Sequence, residues 1–414
     1  MENTSTDNKH DFAIRRSQEV YKRMKNSRLL SYYYAKNIAK NMNKLEIYGS
    51  SPTDIFIGSF GYPKVYIGPM LPSEFGDTSL LGSPELWAGK SLGQIIDMRS
   101  KLVRGMYVSN IFDIEKGKIQ EMVQELALAE RPADIDMALL KKPFVKMSFN
   151  DITQPFGPSA QIQSIELQNM KANKDIEYLH NDTDVTAADS ILELYNKHNI
   201  SLSKLQQGLS AGLFGLKSKR KFTPTRWSIT GVDDIISKGI REKIKDYGQI
   251  DSIYAYHGIA LDNHWLIFFI PGAWEYESIE AWFPDTSWNR DSEILMCSSY
   301  EGYKGRSTYA EIGGGYYAAR VAVTEKLKQM QKQASVIILR EVHEDYSIPV
   351  GVWQIREHLR QILSGPAQVI NSTAEINMLI SQKLAIAPAA WIKNSRMLAG
   401  LASQRKLSSY FKQD

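Results

Sequence analysis

The chain is predicted to be an α+β protein: a helix-rich amino-terminal region, then a mixed or antiparallel sheet with helices in the carboxyl-terminal region. Three observations support this. Residues 186–213 place apolar side chains at helical spacing on both sides of a break at Lys197–Ile200, and Ser201 is a good N-cap for the second helix. From Ser252 the texture changes to strand, with SIYAYHGIAL and HWLIFFIP flanking Asp262–Asn263 as a two-residue hairpin turn. A 414-residue chain that is 43% apolar and 23% charged has room for two or three domains and a substantial core.

The elements follow in order. Residues 1–10 are polar and expected to be disordered. Phe12–Leu45 reads as helix, with nine Lys or Arg and one acid between Ile14 and Lys44, an arrangement that suits a phosphate backbone or a solvated face equally. Ser50–Met70 reads as two short strands joined by a tight turn at Phe60–Pro63. Ser83–Gly105 is predicted helical, ending at Gly105 after Arg99, Lys101 and Arg104, cations that suit a helix carboxyl terminus. Residues 112–140 read as acidic helix, and 146–167 as strand and loop around Pro155 and Pro158. The helix pair in 186–213 has the spacing of a helix-turn-helix, although such pairs are more often core. Asp233–Asp234 open the next predicted helix. A third strand is placed near Trp274–Phe283, a helix at Tyr316–Lys332, a buried strand at Ser335–Val342 and a helix at Trp353–Leu363. The remainder to Gly400 is helical. The change of texture divides the chain into residues 11–250 and 251–400, with a flexible tail at 401–414.

Composition narrows the classes of function. A net charge of +4 leaves nucleic-acid affinity to local patches. Cys297 is the only cysteine, so no disulfide framework and no cysteine-based zinc site can form, and a reducing, cytoplasmic setting is expected. The most apolar run, WLIFFIPGAW, is too short to span a bilayer.

The densest local patch is Leu216–Lys245, in which Lys217, Lys219, Arg220, Lys221 and Arg226 crowd around Phe222 and Trp227. Cations beside flat aromatic faces suit a polyanion with stackable bases, so this segment is the expected DNA contact. Trp227 is expected to be mostly buried, leaving the cations to bind. The nearest approach to a catalytic or metal constellation is Glu275, Glu277 and Glu280 with His257 and His264. If the segment is a strand, Glu275 and Glu277 share a face and Glu280 points away. Such residues are usually just solvated, and no metal or other cofactor is assigned from them.

The chain ends SQRKLSSYFKQD. Gln404, Leu407, Tyr410 and Phe411 satisfy the pattern of a PIP box, the peptide that binds the sliding clamp PCNA. One helical turn puts Leu407, Tyr410 and Phe411 on one face as an apolar plug, and Gln404 can both donate and accept at its edge. Arg405, Lys406, Ser408 and Ser409 complete the segment and keep it polar.

With the tail in view, IFIGSFGYPKVYIGP (Ile55–Pro69), SPELWAGKSLGQIIDMRSKLVRG (Ser83–Gly105) and KSKRKFTPTRWSITGVDD (Lys217–Asp234) resemble the archaeal Nre family of DNA repair proteins, over nearly the whole chain. The resemblance implies a DNA damage repair protein that docks on archaeal PCNA through its tail, in the cytoplasm and associated with the nucleoid. Many members begin with a four-cysteine zinc motif, which does not carry over here because no cysteine precedes Cys297. The alternative is a DNA-processing enzyme tethered to the clamp, a metal-dependent nuclease or nucleotide-modifying activity built on the glutamates and histidines above.

Overall fold

The computed structural model describes residues 44–144, 147–289 and 291–403. The predicted helix over Phe12–Leu45, but for its last two residues, and the clamp-binding pattern Gln404–Phe411 lie outside them. The described residues show the α+β architecture predicted, built on two mixed six-stranded sheets. Those up to Gly239 together with Ile348–Glu357 form one compact unit; Ile240–Ser347 and those from His358 form the second.

The first unit contains β1 (Glu46–Ser51), β2 (Lys64–Ile67), β3 (Met70–Leu71), α1 (Ser79–Gly82), α2 (Leu92–Ser100), β4 (Val103–Asn110), α3 (Lys118–Leu128), β5 (Ala133–Leu139), β6 (Ser159–Gln168), α4 (Lys174–Asn181), α5 (Ala187–His198), α6 (Leu202–Ser210) and the first part of α7 (Thr225–Ile244). Its sheet runs β1-β5-β6-β4-β2, with β3 also on β4, and only β4 and β6 are parallel.

Two predicted helices are shorter here than expected, because strands follow them. Ser91 and Gln94 close a capping box at the start of α2, but the helix ends at Ser100. Arg104 and Gly105 lie in β4, whose VRGMYVSN sequence favours a strand. Arg99 is in the last turn of α2 as expected, and its side chain is also buried in an ion pair with Asp54 at 2.7 Å. Residues 112–140 divide into α3 and β5, and ADIDMAL alternates buried and half-buried at every residue, the period of a strand.

The α5–α6 pair and its Ser201 cap agree with the sequence. However, Leu202, Ser203, Leu205, Gln206, Gly208 and Ser210 are all buried, so α6 is a core helix and is not presented for DNA readout. Helix α7 starts at Thr225, well before Asp233–Asp234. Asp233 sits mid-helix, fully buried, paired with Arg356 at 2.8 Å. That pair ties residues 348–357 into the first unit.

The second unit contains β7 (Ile253–Ala260), β8 (Asn263–Ile270), β9 (Glu275–Trp282), β10 (Leu295–Glu301), α8 (Gly314–Met330), β11 (Ser335–Val342), the later part of α9 (Trp353–Ser364), β12 (Gln368–Ile370), α10 (Thr373–Lys383), α11 (Pro388–Asn394) and α12 (Arg396–Ser403). Strand order is β10-β9-β11-β8-β7-β12, and only β9 and β11 are parallel. The β7–β8 turn falls one residue earlier than predicted, on Leu261 and Asp262, both at positive φ. This is the mirror-image turn that matches strand twist.

One sheet face, with Leu266, Phe268, Ile279, Ile337 and Leu339, packs under α10–α12. On the other face Tyr276 donates from its hydroxyl to the Tyr316 carbonyl of α8, and Glu301 pairs with Arg320 at 2.6 Å, both side chains fully buried. Among the described residues, no helix is long and apolar enough to cross a membrane.

Candidate nucleic-acid interface

The segment from Lys217 to Trp227 lies in the first unit, and its residues have different roles. Arg220 is buried: its guanidinium donates to the carbonyls of Gly215 (2.7 Å), His180 (2.7 Å) and Asp182 (2.9 Å). It therefore ties the segment to the carboxyl end of α4, and desolvation lowers its pKa. Phe222 is also buried. Lys217, Lys219 and Arg226 are exposed, and Lys221 is half-buried. Trp227 departs from the expectation of burial: it is 47% exposed on the first turn of α7. The reason is local. Pro224 and Thr225 already start the helix, Thr225 exchanges hydrogen bonds with the Ile57 backbone, and residue 227 then points outward.

Backbone hydrogen bonds make the surroundings of Trp227 one continuous surface. Ile57 binds Thr225, Phe222 N–H donates to the Ile111 carbonyl, and Ile111 N–H donates to that of Pro63. The tight turn at Phe60–Pro63 is present, but only Lys64–Ile67 of the two predicted strands forms one. The segment before the turn runs beside it through the N–H groups of Phe56 and Gly58, which donate to the carbonyls of Gly68 and Tyr66. The turn lifts Phe60 (91% exposed), Tyr62 and Lys64 into solvent. Tyr62 packs on Trp227 with ring centroids 5.1 Å apart. Phe112 is exposed on the other side, with the Lys221 ammonium 5.9 Å from its ring centroid. Three exposed aromatics in one hairpin and one turn, beside Trp227, are more apolar surface than a solvated loop requires.

Beneath the hairpin, Arg104 lies over the Phe56 ring at 4.3 Å, with Phe156 at 5.3 Å, and donates only a long bond to the Tyr66 carbonyl. Its Nε has no hydrogen-bond partner among the described residues, and burial pushes its pKa down to about 10. The turn at Phe60–Pro63 and Arg104 were not among the candidate residues taken from the sequence. Their signal was present as Phe60, Tyr62 and Lys64 clustered in a turn that has no need of apolar side chains.

The predicted carboxylates and histidines of the second unit, Glu275, Glu277, Glu280, His257 and His264, do not converge among the described residues. Glu275 and Glu277 share a face of β9 and Glu280 takes the other, as the alternation predicted. Glu277 is buried and accepts from Ser395 Oγ (2.6 Å) and from the N–H groups of Arg396 (2.8 Å) and Met397 (2.9 Å), at the start of α12. Glu280 is buried against Arg340 at 2.7 Å, and that guanidinium lies between the rings of Trp265 and Trp282. Glu275 is half-buried near Tyr300. His257 is on β7, where desolvation, then Lys383 and His264, lower its pKa. His264 is at the start of β8, opposite Glu341, and groups with residues outside the predicted set.

The family profile described as archaeal Nre, N-terminal, matches residues 26–289, and archaeal Nre, C-terminal, matches residues 301–410. The chain belongs to the archaeal Nre family. Nre relatives include the DNA repair protein NreB of Archaeoglobus fulgidus, 35% identical over 85% of this chain and 89% of its own length. The DNA repair protein NreA of the same organism is 34% identical over 87% of this chain and 89% of its own. The NreA of Haloferax volcanii is 32% identical over 86% and 87%. No solved structure matches the chain. The surface around Trp227 lies within the matched N-terminal region of the Nre fold.

Proposed function

We propose that this Nre protein acts in DNA damage repair, holding single-stranded or unpaired DNA on the aromatic and cationic surface of its first unit. The sliding clamp PCNA brings it to DNA by binding Gln404–Phe411. The observation that carries the DNA reading is the exposed Tyr62–Trp227 pair, flanked by Phe60 and Phe112 and by Lys64, Lys217, Lys219, Lys221 and Arg226. Rings of this kind stack unpaired bases, and the cations neutralise the phosphates between them. The names of the relatives support the repair role, and the tail pattern supports the clamp.

Fluorescence anisotropy with a labelled single strand at several salt concentrations tests the DNA reading. Replacing Lys217, Lys219, Lys221 and Arg226 by Ala should flatten the salt slope by up to about 0.7 for each phosphate no longer neutralised. Trp227→Ala should weaken binding by about 1–3 kcal/mol and leave the unfolding transition in place, since the ring is half in solvent. Unchanged low-salt affinity in both variants would place the DNA elsewhere.

A further inference from the structure

We infer that the sheet of the second unit carries a binding site for one divalent transition-metal ion, held by His264, Glu341 and His343. His264 on β8 and Glu341 on β11 are direct partners in antiparallel register, so their side chains leave the same sheet face. His343 follows two residues after Glu341, and its backbone N–H donates to the Asp262 carbonyl at the turn before His264. The hairpin turn thus brings both histidines to one end of the sheet. One ligand atom from each of the three residues lies within 4.8 Å of the other two. Metal–ligand bonds of about 2.0–2.2 Å require donors grouped on this scale.

The surroundings orient these donors. Glu341 is fully buried, and its two oxygens accept from the N–H groups of Ile386 (2.8 Å) and Ala385 (3.0 Å). Outer hydrogen bonds of this kind fix a ligating carboxylate. Glu341 Oε2, the oxygen that accepts from Ala385, also lies 3.1 Å from His343 Nε2. Phe283 stacks on the His343 ring at 4.1 Å, and the His264 ring lies 4.2 Å from it. The two imidazoles keep 25% and 22% of their side-chain surface in solvent, so an ion has a way in and keeps open coordination positions. Asp262, whose Oδ1 is 3.8 Å from His264 Nε2, stands at the rim.

A hydrogen bond between Glu341 and His343 explains those two residues, but not why His264 faces them. Two imidazole nitrogens and one carboxylate oxygen suit zinc, iron, cobalt or manganese. Magnesium and calcium prefer all-oxygen sites. Glu341 and His343 escaped the sequence reading because they lie on either side of Val342, more than 75 residues from His264.

The test is calorimetric titration of the dialysed full chain with Zn²⁺, with Mg²⁺ as control. One equivalent of Zn²⁺ should bind, and Mg²⁺ should give no matching heat. His264→Ala and His343→Ala should each weaken Zn²⁺ binding at least tenfold, with circular dichroism confirming the fold. His257→Ala, on the same sheet face but outside the cluster, should bind as the wild type does. If either histidine variant does not fold, wild-type protein loaded with Co²⁺ should show the visible bands of a four- or five-coordinate nitrogen–oxygen site. No zinc binding by the wild type, equal binding in both histidine variants, the same loss in His257→Ala, or a Co²⁺ spectrum of the free hexaaquo ion would each overturn the assignment.

Discussion

Arg220 and Trp227 belong to one basic-aromatic segment and have opposite roles. Residue type predicts that a tryptophan goes inside and an arginine outside. Here three backbone carbonyls near the end of α4 take the guanidinium inward, and the start of α7 turns the indole outward. The cation cluster was legible in the sequence; which cations remain free was not, since the carbonyls that bind Arg220 come from residues up to 40 positions away. Lys204 on α6 is a second residue with a cost the sequence does not show. Its ammonium donates to the Leu126 carbonyl and to Thr53 Oγ1, and desolvation, offset in part by Asp54, pushes its pKa down to about 7 from 10.5. Between those two values the unfolded chain holds a proton that the folded chain has released. Unfolding free energy should therefore rise with pH from about 7 to about 10.5, and the full cost of the buried charge is felt below pH 7. Urea midpoints at pH 7 and pH 9.5 measure this. Lys204→Met should show a smaller rise than the wild type, and an equal rise in both would assign the effect to other groups.

At the scale of elements, periodicity located most pieces but misplaced several ends. The β7–β8 hairpin, β11, the α5–α6 pair and the alternation of Glu275, Glu277 and Glu280 were all legible. The starts of β4 and β5 were not, because each follows a helix closely and a few apolar residues fit either period. Strand β10, LMCSSYE, has too little apolar character to announce itself; pairing with β9 makes it a strand. The same pairing logic explains Glu277. Its neighbours in sequence suggest a half-exposed carboxylate, but the helices over the sheet bring three donors to it from residues 395–397. Glu277→Gln leaves an amide facing at least one of those donors. It should lower the unfolding free energy by about 1–3 kcal/mol, read from urea denaturation. A variant as stable as the wild type would show that α12 holds without this acceptor.

Across the whole molecule, the family relation extends over both units, and the motifs that signalled it lie mainly in the first. The clamp-binding pattern needs no fold to be recognised, since it is read from spacing alone. Ending the chain after Ser403 should abolish binding to PCNA in calorimetry and leave the melting temperature unchanged. Clamp binding that survives the truncation would place the docking site elsewhere. The residue before the pattern, Ser403, closes α12, and the first turn of that helix is anchored to Glu277. Strand β9 is not an edge strand: it lies between β10 and β11. A pull on α12 is therefore a mechanical load shared between hydrogen bonds to one carboxylate of an interior strand and the packing of Met397 and Leu398 on the sheet, and both must give before α12 peels away.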